Sequence, residues 1–335
     1  MTSALPVLWL YGPPGVGKTT TGWELFTRVS GDGVPIAYVD IDQLGMCYAP
    51  PTPESLWPEP ASDPVRHRRK TLNLDAVAAN ARESGAAGLI VSGIVDCEHG
   101  IDTGLLPNVA LTAIRLRAEP AEILHRLDVR ARPGQQVGEI LHDAEALDRN
   151  ELPGTCIDTT KLGVDEVLEQ VAKHAEGWLA VSAEAGTPVA TEVATATATI
   201  RPSAPIFLLC GPRPAGLSAV GYEVHRQLRL AGSSAAYLDL EQVGFLRPAR
   251  ADDPDNHRFK AANLAAVYRT FQDCGADCLV AVGSIEEPGD DAAYAAALPD
   301  VPLTSCRANL DPDGRPVGDV AREILAELAV PSPRP

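Results

Sequence analysis

An internal repeat constrains the fold of this chain more than any other feature of its sequence. Gly12 in VLWLYGPPGVGKTT and Gly211 in IFLLCGPRPAGLSA stand 199 residues apart, and the same offset separates AYVDIDQLG from AYLDLEQVG. Further along, an offset of 190 relates DPVRHRRKTLNL to DPDNHRFKAANL, and GLIVSGIVD to CLVAVGSIE. Self-similarity of this kind is the sequence signature of a repeated structural unit. We therefore interpret the chain as a tandem duplication of one domain.

The repeat also sets the domain boundaries. A low-complexity stretch rich in Ala, Thr and Pro occupies residues 182–205 and offers little that could pack into a core, so it is typical of a flexible linker. The chain has 335 residues, of which 45% are hydrophobic, and this is enough for two cores. We predict a first domain over residues 1–181 and a second, degenerate copy over residues 206–330.

Each copy has the hydrophobic pattern of an α/β protein. Short apolar runs alternate with amphipathic segments such as AEILHRL, which predicts a doubly wound parallel sheet with helices on both faces. In such a sheet the ligand binds beyond the carboxyl ends of the strands. In the first copy the apolar runs are residues 5–11, 35–40, 87–92, 109–116 and 155–158.

Composition excludes several classes of function. The formal net charge is −17 and the isoelectric point is near 4.8, which argues against a nucleic-acid partner. No apolar run approaches the roughly 20 residues that span a bilayer, and LPVLWLYG is too short and too uncharged for a signal peptide. The seven cysteines are scattered without CxxC pairs, as reduced thiols are. We therefore expect a cytoplasmic protein without membrane or nucleic-acid partners.

The strongest chemical signal is a complete G-x4-G-K-[ST] motif between an apolar run and a helical segment. Glycines let the backbone turn so that successive N–H groups point at phosphate oxygens. Lys18 would reach the outer phosphates of ATP, and the Thr19 hydroxyl would bind Mg2+. The predicted cofactors are therefore ATP and Mg2+. The loop and the start of the following helix comprise Gly12, Pro13, Pro14, Gly15, Val16, Gly17, Lys18, Thr19 and Thr20.

Two acidic residues, Asp40 and Asp42, end the second apolar run. Residues two apart in a strand point to the same side of the sheet. Asp40 is therefore a candidate Mg2+ ligand, through water, and Asp42 is a candidate to orient or deprotonate the hydroxyl of a phosphate acceptor. The alternative is that either aspartate caps the turn that follows the strand.

A basic segment, DPVRHRRKTLN, predicts a helix that begins with Asp63 as its N-cap. Arg66, Lys70 and Asn73 fall at i, i+4 and i+7, hence on one face, which suits an anionic acceptor beside the phosphate-binding loop. A solvated basic helix that balances an acidic protein is an equal alternative.

With these motifs, the first domain resembles the P-loop small-molecule kinases, the group that includes shikimate, gluconate, adenylylsulfate and nucleoside monophosphate kinases. The resemblance covers roughly residues 5–180 and rests on GPPGVGKTT, DID at Asp40–Asp42, RLDVRARPG and CIDTTKLGVDEV. It implies a sheet with strand order 2-3-1-4-5, and a lid that covers ATP after the fourth strand.

The resemblance also implies roles for residues outside the loop. Arg126, Arg130 and Arg132 would belong to the lid and neutralise charge on the transferred phosphoryl group, unless they simply lie on a surface helix. Arg149, at the end of the same segment, would contact the acceptor. Apart from the resemblance, Gly93 predicts a close approach of the backbone to the substrate, with a plain turn as the equal alternative. Thr159 and Thr160 would lie near the adenine, which such kinases hold mainly through backbone.

The second copy lacks the essential charge, because Leu217 stands in the place of Lys18. We therefore predict an ATP-dependent phosphotransferase that acts on a small-molecule phosphate acceptor through its first domain. The alternatives are a non-catalytic regulatory protein that binds nucleotide, and an ATPase. The acceptor-side residues that the second copy keeps either bind a ligand or form the interface of an intramolecular pseudo-dimer, and we favour the pseudo-dimer.

Overall fold

The computed structural model describes residues 3–52, 63–130, 137–150, 152–180, 203–211, 216–286, 289–307 and 315–328, and for residues 129 and 130 it describes the backbone alone. The linker predicted at residues 182–205 lies, except for its last three residues, outside this part of the chain.

Strands and helices alternate along the first half of the sequence, and Ile41–Gly45 forms a 3-10 turn after the second strand. The elements are β1 (Leu5–Tyr11), α1 (Lys18–Gly31), β2 (Ile36–Asp40), β3 (Cys47–Tyr48), α2 (Pro64–Glu83), β4 (Gly88–Gly93), β5 (Val109–Arg117), α3 (Pro120–Arg130), α4 (Val137–Arg149), β6 (Thr155–Asp158) and α5 (Val164–His174).

The second half follows the same alternation. Its elements are β7 (Ile206–Cys210), α6 (Leu217–Leu230), β8 (Ala235–Asp239), β9 (Phe245–Arg247), α7 (His257–Asp273), β10 (Cys278–Gly283), α8 (Ala292–Ala297), β11 (Leu303–Arg307) and α9 (Val317–Glu327).

The chain divides into two compact units, and each contains a short segment from the other half of the sequence. The first comprises Met1–Gly45, Pro60–Val189 and Phe245–Asp252. The second comprises Met46–Glu59, Ala190–Gly244 and Asp253–Pro335. The repeat did not predict this exchange of segments.

The first unit is built on a sheet with the order β6-β5-β1-β4-β2-β9. Five of these strands are parallel, and counted along the first half without β3 they have the order 2-3-1-4-5, as the kinase resemblance implied. β9 lies antiparallel on β2 at the edge. β1, β2 and β4 are almost entirely buried, which explains why continuous apolar runs located them in the sequence.

The second unit has a sheet with the order β11-β7-β10-β8-β3. Its four parallel strands repeat the order 2-3-1-4, and β3 lies antiparallel on β8 at the edge. Each unit has its own hydrophobic core, between its sheet and the helices on one face. The predicted α/β fold class, with two mostly parallel sheets, is confirmed. Among the described helices, none is both long and apolar enough to cross a bilayer.

A buried histidine in the second core predicts how stability depends on pH. His225 in α6 is 0% exposed, with Nε2 at 3.2 Å from the carbonyl oxygen of Ala235, and burial lowers its pKa to about 4. An unfolded histidine has a pKa near 6.5, so between about pH 6.5 and pH 4 the unfolded chain binds more protons. The contribution of His225 to the free energy of unfolding is therefore lost as the pH falls through this window.

The first unit supplies a matched replacement, because Phe26 stands 199 residues before His225. We expect His225→Phe to remove about 3 kcal/mol of the loss in unfolding free energy between pH 7 and pH 4. Urea denaturation of parent and variant at both pH values measures the difference. An unchanged pH dependence in the variant would contradict the assignment of His225 as a neutral core residue.

Candidate functional site

The phosphate-binding motif forms the loop between β1 and α1. Gly12 has φ of 144°, and a Cβ there would lie 2.1 Å from the carbonyl oxygen of Leu116. Gly17, the N-cap of α1, has φ of 96° in the left-handed region. Side chains are excluded at Gly12 by a backbone atom and strained at Gly17 by conformation. The glycine spacing of the motif therefore has a direct structural cause.

Lys18 begins α1 and lies back over the loop. Its Nζ donates a hydrogen bond to the carbonyl oxygen of Pro13 at 2.8 Å, and its side chain is buried. Thr19 follows and is exposed. The first amides of a helix have no acceptor within it and carry the positive end of the helix dipole, so this end of α1 suits an anion.

Asp40 and Asp42 lie side by side at the end of β2 and the start of the 3-10 turn. The backbone N–H of Asp42 donates to Asp40 Oδ1 at 2.9 Å, so Asp40 caps the turn that follows β2. This is the alternative role that the sequence predicted for these aspartates. Burial and the negative charge of Asp42 raise the pKa of Asp40 to about 6, although Lys18 and Lys70 oppose the rise. A cation beside Asp40 would relieve this concentration of negative charge.

Lys70 on α2 forms an ion pair with Asp42, with Nζ at 2.5 Å from Oδ1. Lys70 is 1% exposed and Asp42 is 37% exposed, so the carboxylate also reaches solvent. Burial alone would raise the pKa of Asp42, but the charges of Lys70 and Arg66 outweigh it and hold that pKa below its ordinary value. Asp42 is therefore an ionised carboxylate that reaches solvent just after the carboxyl end of β2.

The predicted face of α2 exists, and it packs on the 3-10 turn. Asp63 caps the helix by accepting a hydrogen bond from the N–H of Val65 at 2.9 Å, as the sequence predicted. Asn73 Nδ2 donates to the carbonyl oxygen of Leu44 at 2.6 Å. Gly45 leaves room for the helix, since a Cβ there would lie 2.7 Å from Lys70 Cγ. Lys70 and Asn73 therefore hold the segment that carries Asp42.

Gly93 ends β4 beside the carboxylates. It has φ of 138°, and a Cβ would lie 2.3 Å from Ile41 Cγ2 and 3.5 Å from Asp40 Oδ1. The backbone of β4 approaches the Asp40–Asp42 segment so closely that only glycine fits at this position. The structure thus brings Gly93, Asp40, Asp42, Lys70 and Arg66 to one end of the sheet.

Arg126 on α3 contacts the loop between β1 and α1. Its guanidinium donates to the carbonyl oxygen of Gly15 at 3.3 Å and to the Oγ1 and carbonyl oxygen of Thr159 at 3.1 and 2.7 Å, and it pairs with Glu122. Thr159 is 0% exposed. These contacts join the loop, α3 and the segment after β6. In this structure Arg126 supports the phosphate-binding loop through protein oxygens.

A cavity of about 390 Å³ opens beside the loop. This is within the usual range for small-molecule sites. Several wall residues lie in segments quoted above, AEILHRL and CIDTTKLGVDEV, but the sequence did not single them out, because it does not show that these segments meet beside the loop. The wall consists of Gly15, Val16, Gly17, Thr20, Thr21, Glu122, His125, Arg126, Leu162, Gly163, Val164 and Val167.

The remaining predicted residues are less central. Thr160 Oγ1 accepts a hydrogen bond from the N–H of Glu119 at 2.9 Å, so this side chain joins two segments of the protein. Arg149 is exposed at the end of α4. The side chain of Arg130, and all of Arg132, lie outside the described residues.

The second unit repeats the pairing of the Asp40–Asp42 segment with α2. Lys260 Nζ lies 2.8 Å from Glu241 Oε1, and Asn263 Nδ2 donates to the carbonyl oxygen of Val243 at 2.7 Å. Ser218, in the place of Thr19, donates to Asp239 Oδ2 at 2.6 Å.

The phosphate side of the second unit differs. Leu217, at the start of α6, is 6% exposed and belongs to the second core. Where the first unit has the Lys18 ammonium, the second thus has an apolar core residue.

Solved structures similar to this chain include the tunicamycin resistance protein of Deinococcus radiodurans, with 26% identity over 51% of this chain and 96% of that one, at a TM-score of 0.36. A gluconokinase from Sinorhizobium meliloti has 14% identity over 53% of this chain and 93% of that one, at a TM-score of 0.36. A shikimate kinase from Acinetobacter baumannii has 18% identity over 50% and 92%, at a TM-score of 0.35. No family model and no curated protein matches the chain. Small-molecule kinases of the predicted kind are thus among the structures that the chain resembles, each over about half its length.

Proposed function

We propose that the first unit binds Mg-ATP and transfers its terminal phosphoryl group to a hydroxyl of a small molecule. One observation carries the proposal. A glycine loop with a lysine at the helix start has a cavity on one side, and a carboxylate pair lies at the end of β2 within electrostatic reach of that lysine. Catalysis of phosphoryl transfer consists largely of positioning the reactants and stabilising charge. The loop and its lysine would stabilise the phosphate charge, the cavity would position the nucleotide, and the carboxylates would serve the metal ion and the acceptor.

The loop amides and Lys18 bind the phosphates in this proposal. The Thr19 hydroxyl and the Asp40 carboxylate would hold Mg2+, directly or through water, since both are the hard oxygen ligands that this ion prefers. The equivalent pair in the second unit, Ser218 and Asp239, lies 2.6 Å apart, so helix start and strand end can approach closely in this fold. Mg2+ would supply charge neutralisation for the phosphates.

Asp42 is the residue that we assign to the acceptor. Its carboxylate is ionised, partly exposed and fixed by Lys70, so it can accept a hydrogen bond from a substrate hydroxyl and orient it for transfer, although its lowered pKa makes it a weak base. Arg66 and the backbone at Gly93 would contact the same acceptor. Arg126 would stabilise the loop through its hydrogen bonds to Gly15 and Thr159. Arg130 and Arg132 would contribute positive charge from the lid.

The cavity beside the loop is the proposed site of the adenine base. Its wall combines loop backbone with the apolar side chains of Leu162, Val164 and Val167, which suits a flat aromatic ring. Thr160 and the segment around it would border the base. The size of the cavity, about 390 Å³, accommodates a nucleoside.

A substitution at Val164, which is 48% exposed, tests this part of the site. We expect Val164→Trp to fill the cavity and weaken ATP binding at least tenfold, because the ring would occupy the space of the base, while inorganic tripolyphosphate binds as before. Calorimetric titration with both compounds measures the two affinities. Val317→Trp, at a 38% exposed valine of the second unit, is the control. Equal weakening of both compounds by Val164→Trp would place the base elsewhere.

The proposed function itself is tested by phosphoryl transfer. The intact chain is incubated with γ-labelled ATP, Mg2+ and a panel of sugars, hydroxy acids, nucleosides and antibiotics. We expect label to move to one class of acceptor, and to stay on ATP with the Lys18→Ala variant. Hydrolysis to inorganic phosphate with every class would support an ATPase instead, and binding without any turnover would support a nucleotide sensor.

A further inference from the structure

The edge strand of the first sheet comes from the second half of the sequence. β9 lies antiparallel on β2, with Phe245 opposite Tyr38, Leu246 opposite Ala37 and Arg247 opposite Ile36. An uncovered edge strand presents backbone N–H and C=O groups without partners. Here that edge is β2, the strand that ends at Asp40 of the proposed site.

The second sheet repeats this arrangement in the same register. The N–H of Tyr237 in β8 donates to the carbonyl oxygen of Met46 at 2.8 Å, and Cys47 lies opposite Ala236. Met46 and Phe245 are 199 residues apart, as are Tyr38 and Tyr237. The two units thus share this contact at equivalent positions.

A series of side-chain contacts connects β9 with the end of β2, where Asp40 lies. The ring of Phe245 lies 4.8 Å from that of Trp23 and 6.1 Å from that of Tyr38, measured between centroids. The Tyr38 hydroxyl is 2.7 Å from Ser92 Oγ in a buried hydrogen bond, and Ser92 adjoins Gly93. Tyr38 also precedes Asp40 by two residues, so the two point to the same side of β2.

We infer that Phe245 is a positioning residue for Asp40, acting through Tyr38 and Ser92. This inference rests on the proposed function of Asp40 at the Mg2+ site. Phe245 does not touch the reacting groups. Its ring keeps Tyr38 against Ser92, and so fixes the end of β2 relative to the turn at Gly93. The second half of the sequence thus contributes a residue to the first unit that the proposed reaction requires.

The test measures how much Mg2+ strengthens ATP binding to the full-length chain. We expect Phe245→Ala to weaken ATP binding about tenfold in the presence of Mg2+ and to leave it unchanged in excess EDTA, because the loop and Lys18 are intact. Phe245→Tyr should restore the parent affinity. Tyr222→Ala is the matched control, because it removes a ring that contacts Tyr237 in the second unit at 5.8 Å.

Equal weakening with and without Mg2+, no weakening at all, or the same effect from Tyr222→Ala would overturn the inference. If Phe245→Ala does not fold, Phe245→Leu keeps an apolar side chain without the ring and serves in its place. A parent chain that binds no ATP would contradict the proposed function, and amide hydrogen exchange then decides the inference separately. Faster exchange over residues 38–42 in the Phe245 variant, but not in Tyr222→Ala, supports it, and equal exchange overturns it.

Discussion

Lys18→Ala is expected to abolish the stabilisation of the chain by Mg-ATP. The phosphates of ATP would lose the ammonium group that compensates their charge, and the loop amides alone cannot replace it. We expect an affinity at least 100-fold lower, which corresponds to about 2.7 kcal/mol or more. Thermal unfolding with and without Mg-ATP measures the effect.

The variant should keep its fold, because Lys18 is the first residue of α1, where alanine is a good helix former, and its ammonium group donates to a carbonyl oxygen of the loop rather than to the core. Lys173→Ala, at an exposed lysine in the last turn of α5, is the matched control and should bind Mg-ATP as the parent does. If Mg-ATP stabilised Lys18→Ala as much as the parent, the loop would not be the phosphate site.

Asp42→Asn is expected to cost both stability and turnover. It leaves the ammonium of Lys70, which is 1% exposed, without its counter-charge, and the free energy of unfolding should fall by about 3 kcal/mol. Turnover with the acceptor found by the transfer screen should fall at least 100-fold, because the carboxylate proposed to orient or deprotonate the acceptor hydroxyl is gone. Urea denaturation and steady-state kinetics measure the two effects.

Two further variants separate the effects. Asp42→Asn combined with Lys70→Met removes the buried charge and should regain stability without regaining turnover. Glu241→Gln breaks the equivalent pair with Lys260 in the second unit, and should lower stability without lowering turnover. If the double variant recovered turnover, Asp42 would have a structural role only.

Much of the fold was predictable from the sequence, because parallel strands buried on both faces leave continuous apolar runs. The runs at residues 5–11 and 155–158 correspond to β1 and β6 residue for residue. Those at 35–40 and 109–116 differ from β2 and β5 by one residue at one end, and 87–92 is displaced from β4 by one residue. The glycine loop was predictable because Gly12 and Gly17 adopt positive φ. Local constraints of this kind leave a clear record in a sequence.

The exchanged strands were not predictable. β3 and β9 have two and three residues, too few to show the alternation of a strand. β9 pairs with β2 and β3 pairs with β8, so each strand joins the sheet of the other half of the sequence. The repeat does not predict which sheet they join. The duplication, the domain boundaries and the pseudo-dimer stay predictions.

The site was predictable in part for similar reasons. The basic face of α2 followed from helical spacing, but spacing alone did not show that Lys70 pairs with Asp42. The cavity wall was missed because Glu122, His125 and Leu162 come from separate segments that meet only in the folded chain. Arg126 was predicted from the lid motif, whereas its hydrogen bonds are to Gly15 and Thr159.

We propose that one unit of the two binds nucleotide, and calorimetric titration of the intact chain with Mg-ATP decides between one site and two. We predict one binding site per chain, because Leu217 replaces the essential lysine in the second unit, and no detectable site in Lys18→Ala. Two sites per chain, or a single site that survives Lys18→Ala, would contradict the claim.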